Sequence, residues 1–141
     1  MNSINDWDKQ ILTAQDIARI FKCGKNLAYK IIESDDMSAV RIGSTIRVSM
    51  KSFNEWIDNK GFLLNKEETF DNQVYTLEEI KDILKIGRNS SYNLLNENYF
   101  KIIKLGKIVR ISKKSFDNWL NKIRRNKCEN NKKKVYYYDY L

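Results

Sequence analysis

Apolar residues recur along the chain with helical and strand-like periods, in a fixed order. Ile17, Ile20 and Phe21 fall at helical spacing, and so do Ala28, Ile31 and Ile32 after a break at Lys22-Cys23-Gly24-Lys25-Asn26. Two short helices joined by such a turn form a helix-turn-helix. A β-rich stretch from Ala39 to Val48 follows, with Gly43 at a hairpin position. Straight alternation places Val40, Ile42, Ile46 and Val48 on one face of this wing, and Arg41 and Arg47 on the other. Phe53, Trp56 and Ile57 then resume helical spacing behind Ser49, a favourable N-cap residue.

The whole series occurs twice. Residues 13–59 align with 76–122 at a constant offset of 63, without a gap and with 14 identities in 47 positions. Unrelated amphipathic segments would share apolar spacing, but they would not also align the turns, both glycines and the tryptophan (Gly24/Gly87, Gly43/Gly106, Trp56/Trp119). Both first helices open with a capping box, Thr13 with Asp16 and Thr76 with Glu79. Leu12 and Tyr75 lie before the caps, five residues from Ile17 and Ile80, as hydrophobic staples do. Ser112 caps the last helix of the second copy as Ser49 does that of the first. The expected fold is α+β, mainly α: two tandem winged helix-turn-helix domains, each with a helix pair, a two-stranded wing and a C-terminal helix. The expected boundaries are copy one at 1–60, a linker at 61–74, copy two at 75–127 and a tail at 128–141.

Composition narrows the chemistry. With 42% hydrophobic and 12% aromatic residues in 141, packed cores are expected rather than disorder. No apolar run approaches the roughly 18 residues of a membrane span, and residues 1–6 lack signal-peptide character, so a cytoplasmic location is expected. There is no histidine, and Cys23 and Cys128 stand far apart outside any ligand motif, so neither metal nor disulfide is expected. Cys23 aligns with Ile86 and reads as a small buried hydrophobe. The missing histidine, and the lack of a glycine-rich phosphate cradle, argue against an enzyme and against a cofactor.

The formal charge of +8 is unevenly spread. Residues 1–60 carry nine Lys/Arg against eight Asp/Glu, 61–74 one against three, 75–122 ten against five, and 123–141 six against two. A basic second half is the electrostatic footprint expected of a nucleic-acid binder.

Taken together, T-x-x-D/E-I, K-x-G-K/R-N-x-x-Y, R/K-I/L-G-x-x-I/V-R-V/I-S and S-F-x-x-W, present in both copies, resemble the winged-helix DNA-binding domain of excisionases and relatives of the MerR group. Lys22 and Lys85 stand where that family commonly has glycine. The resemblance implies that the second helix enters the major groove by its N-terminal residues: Lys25, Asn26, Leu27 and Lys30 in copy one, and Arg88, Asn89, Ser90 and Asn93 in copy two. Arg and Lys match guanine O6 and N7, and Asn pairs with adenine. Asn26 and Asn89 serve equally well as local helix caps. Tyr29 and Tyr92 suit either core packing or a phosphate contact through the hydroxyl. Ser44, Thr45, Lys107 and Ile108 occupy the wing tips, while Arg41, Arg47, Lys104 and Arg110 are expected on phosphates.

The expected partner is double-stranded DNA, bound by a monomer or a cooperative multimer at two unlike half-sites. The linker, acidic at Glu67, Glu68 and Asp71, is expected to avoid DNA, with Phe62 and Leu64 extending the packing of the preceding helix; fully extended, its about 14 residues would reach roughly 45 to 50 Å, beyond the ~35 Å of one duplex turn. The tyrosine-rich tail is either a surface for a recombinase or other protein, or a strand packed on its own domain. The resemblance favours an excisionase-like architectural role. A small transcriptional regulator, an accessory factor of plasmid replication, partition or transfer, and a protein-binding winged helix without DNA affinity are the alternatives.

Overall fold

The computed structural model describes residues 5–34 and 37–129; residues 130–141, most of the expected tail, lie outside them. The first copy comprises β1 (Ile11–Leu12), α1 (Ala14–Phe21), α2 (Lys25–Ser34), β2 (Ala39–Ile42), β3 (Thr45–Ser49) and α3 (Met50–Lys60). The second repeats this order as β4 (Val74–Thr76), α4 (Leu77–Leu84), α5 (Arg88–Leu95), β5 (Ile102–Leu105), β6 (Ile108–Ser112) and α6 (Lys113–Glu129).

Both capping boxes are formed. The Thr13 N–H donates to Asp16 Oδ2 at 3.0 Å and Thr13 Oγ1 accepts from the Asp16 N–H at 3.2 Å; Thr76 and Glu79 repeat this at 2.8 and 3.1 Å. The first helices end at Lys22 and Lys85 in the left-handed conformation, φ 51° and 57°, which explains why glycine suits these positions.

Each wing has three antiparallel strands rather than two, in the order β1-β3-β2 and β4-β6-β5. The residues before the caps, read as staples, also extend the sheet: Leu12 pairs with Val48 and Tyr75 with Ile111. The facing of the wing also differs from simple alternation. The two-residue turn at Gly43-Ser44 pairs Ile42 with Thr45 and Arg41 with Ile46, so the side-chain phase shifts across the turn. Ile46 and Val48 face the core, whereas Val40 and Ile42 share the outer face with Arg47 and are exposed. Gly43 and Gly106, both at φ 62°, supply the positive φ of the first turn position.

The segment 61–74 is folded rather than extended. Phe62, Leu64, Phe70 and Val74 are buried in the first core. Buried Gln73 ties the loop together: its Nε2 donates to the carbonyls of Asn65, Glu68 and Thr69 at 2.8, 3.2 and 2.9 Å, and its Oε1 accepts from the Asn65 N–H at 2.8 Å. Trp7 meets Phe70 edge-on at 4.8 Å and donates from its indole to the Glu68 carbonyl. Arg19 bridges Asp6 and Asp71, whose carboxyl is held below its usual range mainly by that hydrogen bond.

Two outcomes test this description. Gln73→Ala, which strands several loop amides and carbonyls, should cost about 2 to 4 kcal/mol in urea unfolding and sensitise 65–73 to protease. Lys85→Gly, which removes a side chain from a left-handed position, should raise stability by up to about 1 kcal/mol.

Candidate nucleic-acid interface

The helices that would read DNA begin without a side-chain cap where one is defined. Gly87 is the N-cap of α5 and makes no side-chain cap bond. Asn26 and Asn89 are each the second residue within their helix and exposed, so neither occupies the cap position. Lys25, Lys30, Arg88, Ser90 and Asn93 are also exposed. The two tyrosines separate: Tyr29 packs partly buried against the first core, whereas Tyr92 is exposed.

Leu27 departs from the expected DNA-facing role. It packs partly buried against the first core, and a Cβ placed on Gly106 would lie 3.7 Å from its Cδ1, so the second wing's turn abuts it.

In the first wing, Arg41 pairs with Glu33, and Thr45 Oγ1 donates to the Ile42 carbonyl at 2.7 Å. Ser44 is exposed, and Arg47 donates from Nη1 to the Ile46 carbonyl at 2.9 Å. In the second wing Lys104 and Lys107 are exposed. Lys104 joins Leu27 and Lys30 around a cavity of about 440 Å³, alongside Lys60 and Glu33, so candidate residues of both copies meet at one place.

Arg110 does not take the phosphate-contacting position expected of it. Its Nε donates to the Phe21 carbonyl at 2.7 Å and its Nη2 to the Lys22 carbonyl at 2.8 Å, capping the end of α1 in the other copy. Burial lowers its pKa from the usual arginine value. Around it the outer face of the second wing packs on copy one. Val74, Ile103 and Leu105 belong to the first core, Ile108 packs against it, and Ser112 Oγ donates to the Leu63 carbonyl at 2.6 Å. Lys22 Nζ reaches Glu79 at 3.0 Å. Burial would push the Glu79 carboxyl up, but the Thr76 N–H and the Lys22 ammonium outweigh it and hold the carboxyl below its usual range. Burying three aliphatic side chains is worth on the order of 5 kcal/mol, against about 1 kcal/mol or less for an exposed ion pair. The junction is therefore hydrophobic, with Arg110 setting its register.

Sequence reasoning missed this junction, although a signal was present. Leu27 and Ile108 are apolar at positions that carry Ser90 and Thr45 in the other copies, and both pack on the first core.

A tight helix pair with an exposed start to its second helix, followed by a β-wing, defines a winged helix-turn-helix, and the chain contains two. A family model described as a helix-turn-helix domain matches residues 11–61 and again 74–124. The chain belongs to this family and is a DNA-binding helix-turn-helix protein. No curated protein and no solved structure matches it. Among the described residues no helix is long and apolar enough to cross a membrane, and no cluster of metal-ligating side chains occurs.

Glu79→Gln keeps the capping geometry but loses the charge facing Lys22. Because the folded pKa is lowered, the stability difference between wild type and this variant should be complete above about pH 4.5 and vanish as the pH falls through the folded pKa. Acid titration of both proteins by circular dichroism checks the sign.

Proposed function

We propose that the chain is a sequence-specific double-stranded DNA-binding protein of the excisionase type, an architectural factor that reads two adjacent, unlike sites and directs a site-specific recombinase. The observation that carries this reading is the pair of exposed recognition-helix starts, Lys25-Asn26 and Arg88-Asn89-Ser90, held on one packed body. Their different residues favour different base sequences. Arg88 and Lys25 suit guanine edges, Asn26 and Asn89 adenine. Lys30, Asn93, Arg41, Ser44, Lys104 and Lys107 supply flanking and backbone contacts, whereas Thr45 and Arg47 lie on the outer face of the first wing and Tyr92 stands exposed on α5. Leu27, Tyr29 and Arg110 contribute through packing. With Arg110 engaged at the junction, the basic contribution of the second copy rests on Arg88, Lys104 and Lys107.

The role of the linker changes accordingly. A folded segment 61–74 and a packed second wing fix the spacing of α2 and α5, so site spacing on DNA is set by the fold rather than by an adjustable tether. A rigid body carrying two readers favours an architectural role, because duplex that must meet both has to conform to them.

Footprinting on duplex from the protein's own locus, followed by a recombination assay in which a site-specific integrase acts on a substrate carrying the protected segments, tests the reading. Two adjacent protected segments and a shift from integration towards excision are expected. Protection at a promoter with altered transcription and unchanged recombination would establish a regulator instead, and no binding at low salt would refute DNA recognition. Arg88→Ala should cost about 1 to 3 kcal/mol and relax specificity at one position, whereas Lys107→Ala should weaken all sequences alike and reduce the salt slope by about one.

A further inference from the structure

The outer faces of the two wings are built from equivalent residues but differ in what covers them. In the second wing this face is Val74, Ile103, Leu105, Ile108, Arg110 and Ser112, and copy one covers it. In the first wing the same positions are Ile11, Val40, Ile42, Thr45, Arg47 and Ser49. There Ile11, Val40 and Ile42 are 51%, 59% and 62% exposed and border an apolar groove of about 330 Å³. The receiving surface is duplicated as well. Ile20 is buried in the first core and Tyr29 packs against it, while their equivalents Ile83 and Tyr92 in copy two are 41% and 53% exposed. Among the described residues, one chain thus carries one occupied junction and the two unoccupied halves of another, and these five residues are all but one of the large exposed hydrophobics.

We infer that the first wing of one chain docks on the α4–α5 face of copy two in a second chain, repeating between molecules the junction that joins the copies within each. The occupant is a second copy of this protein because the partner surface is the one an equivalent sheet already fits. Arg47 holds its guanidinium as Arg110 does, with Nη1 on the preceding carbonyl at 2.9 Å against 3.0 Å. The helix end it would cap, at Lys85, has the left-handed turn of Lys22. At the tip, Leu27 and Ile108 are replaced together by Ser90 and Thr45, so the intermolecular contact keeps its complementarity but is more polar. Asp16, the equivalent of Glu79, is already paired with Lys9 at 3.1 Å, so the Lys22–Glu79 link has no counterpart. The contact is weaker than the one inside the chain and lacks the effective concentration that the folded segment provides. Being heterologous, it sets the first copy of each chain on the second copy of the next, giving rows, or a ring where the rotation between successive chains closes.

The test is sedimentation of the full chain without DNA, up to about 1 mM protein, so that its outcome is independent of the DNA reading. The wild-type mass should rise with concentration beyond a dimer. Val40→Glu with Ile42→Glu blocks the wing, and Ile83→Glu blocks the helical face; all three positions are exposed, and circular dichroism confirms folding. Each variant alone should remain monomeric, and an equimolar mixture should form a 1:1 dimer and nothing larger, since one intact wing and one intact face remain. A wild type that stays monomeric, blocked variants that still associate, or a mixture that fails to dimerise overturns the inference. It is equally overturned if the wild type is monomeric while a chain ending at residue 129 associates, because the chain's own C-terminal segment would then be what covers copy two.

Discussion

The structure depends on the guanidinium of Arg110 reaching the carbonyls at the end of α1. A helix leaves its last carbonyls without intrahelical partners, and elsewhere water or a glycine-based turn satisfies them. Here two of them receive a charged donor from another domain, half-buried so that burial lowers the arginine's own pKa. Such bonds are directional, whereas the aliphatic contacts around them are not. Ile103 and Leu105 supply most of the adhesion, and Arg110 decides where the second wing rests.

That placement divides the labour of duplicated residues. Arg47 and Arg110 occupy equivalent positions, yet the guanidinium of Arg47 is half-buried on its own strand's Ile46 carbonyl while that of Arg110 reaches a neighbouring domain. Leu27 and Ser90 differ for the same reason, as do Thr45 and Ile108. Residues that look interchangeable in the alignment therefore carry different roles, and copy two gives up part of its basic wing to hold copy one. The excess charge of the second half is correspondingly less available to a duplex than its count implies.

Much of this fold was legible in the sequence because its signals are local. Capping boxes, helix-ending turns and apolar stripes each involve residues a few positions apart, and Thr13, Thr76, Ile17 and Ile80 stand where those rules place them. The wing was only half legible. Alternation counted straight from Val40 to Val48 ignores the phase shift of a two-residue turn, so the outer face was assigned to the wrong residues. In the segment 61–74 the packing of Phe62 and Leu64 was legible, but the fold of the rest was hidden behind its acidic composition, since what orders it is the amide of Gln73 returning to a loop up to eight residues upstream. The starts of α2 and α5 were visible from the repeat. The engagement of Leu27 and Arg110 was not, because it depends on contacts across about 80 to 90 residues of sequence.

Gln73 and the strands beyond it also bear on how the molecule assembles. Copy one is first in the chain, yet its core is completed by Val74, Ile103 and Leu105 from copy two. As the polypeptide emerges during synthesis, the N-terminal half must wait for the β5–β6 hairpin before it is fully packed. Two copies of one unit thus share a core, and closure between residues far apart in sequence slows the approach to the native state.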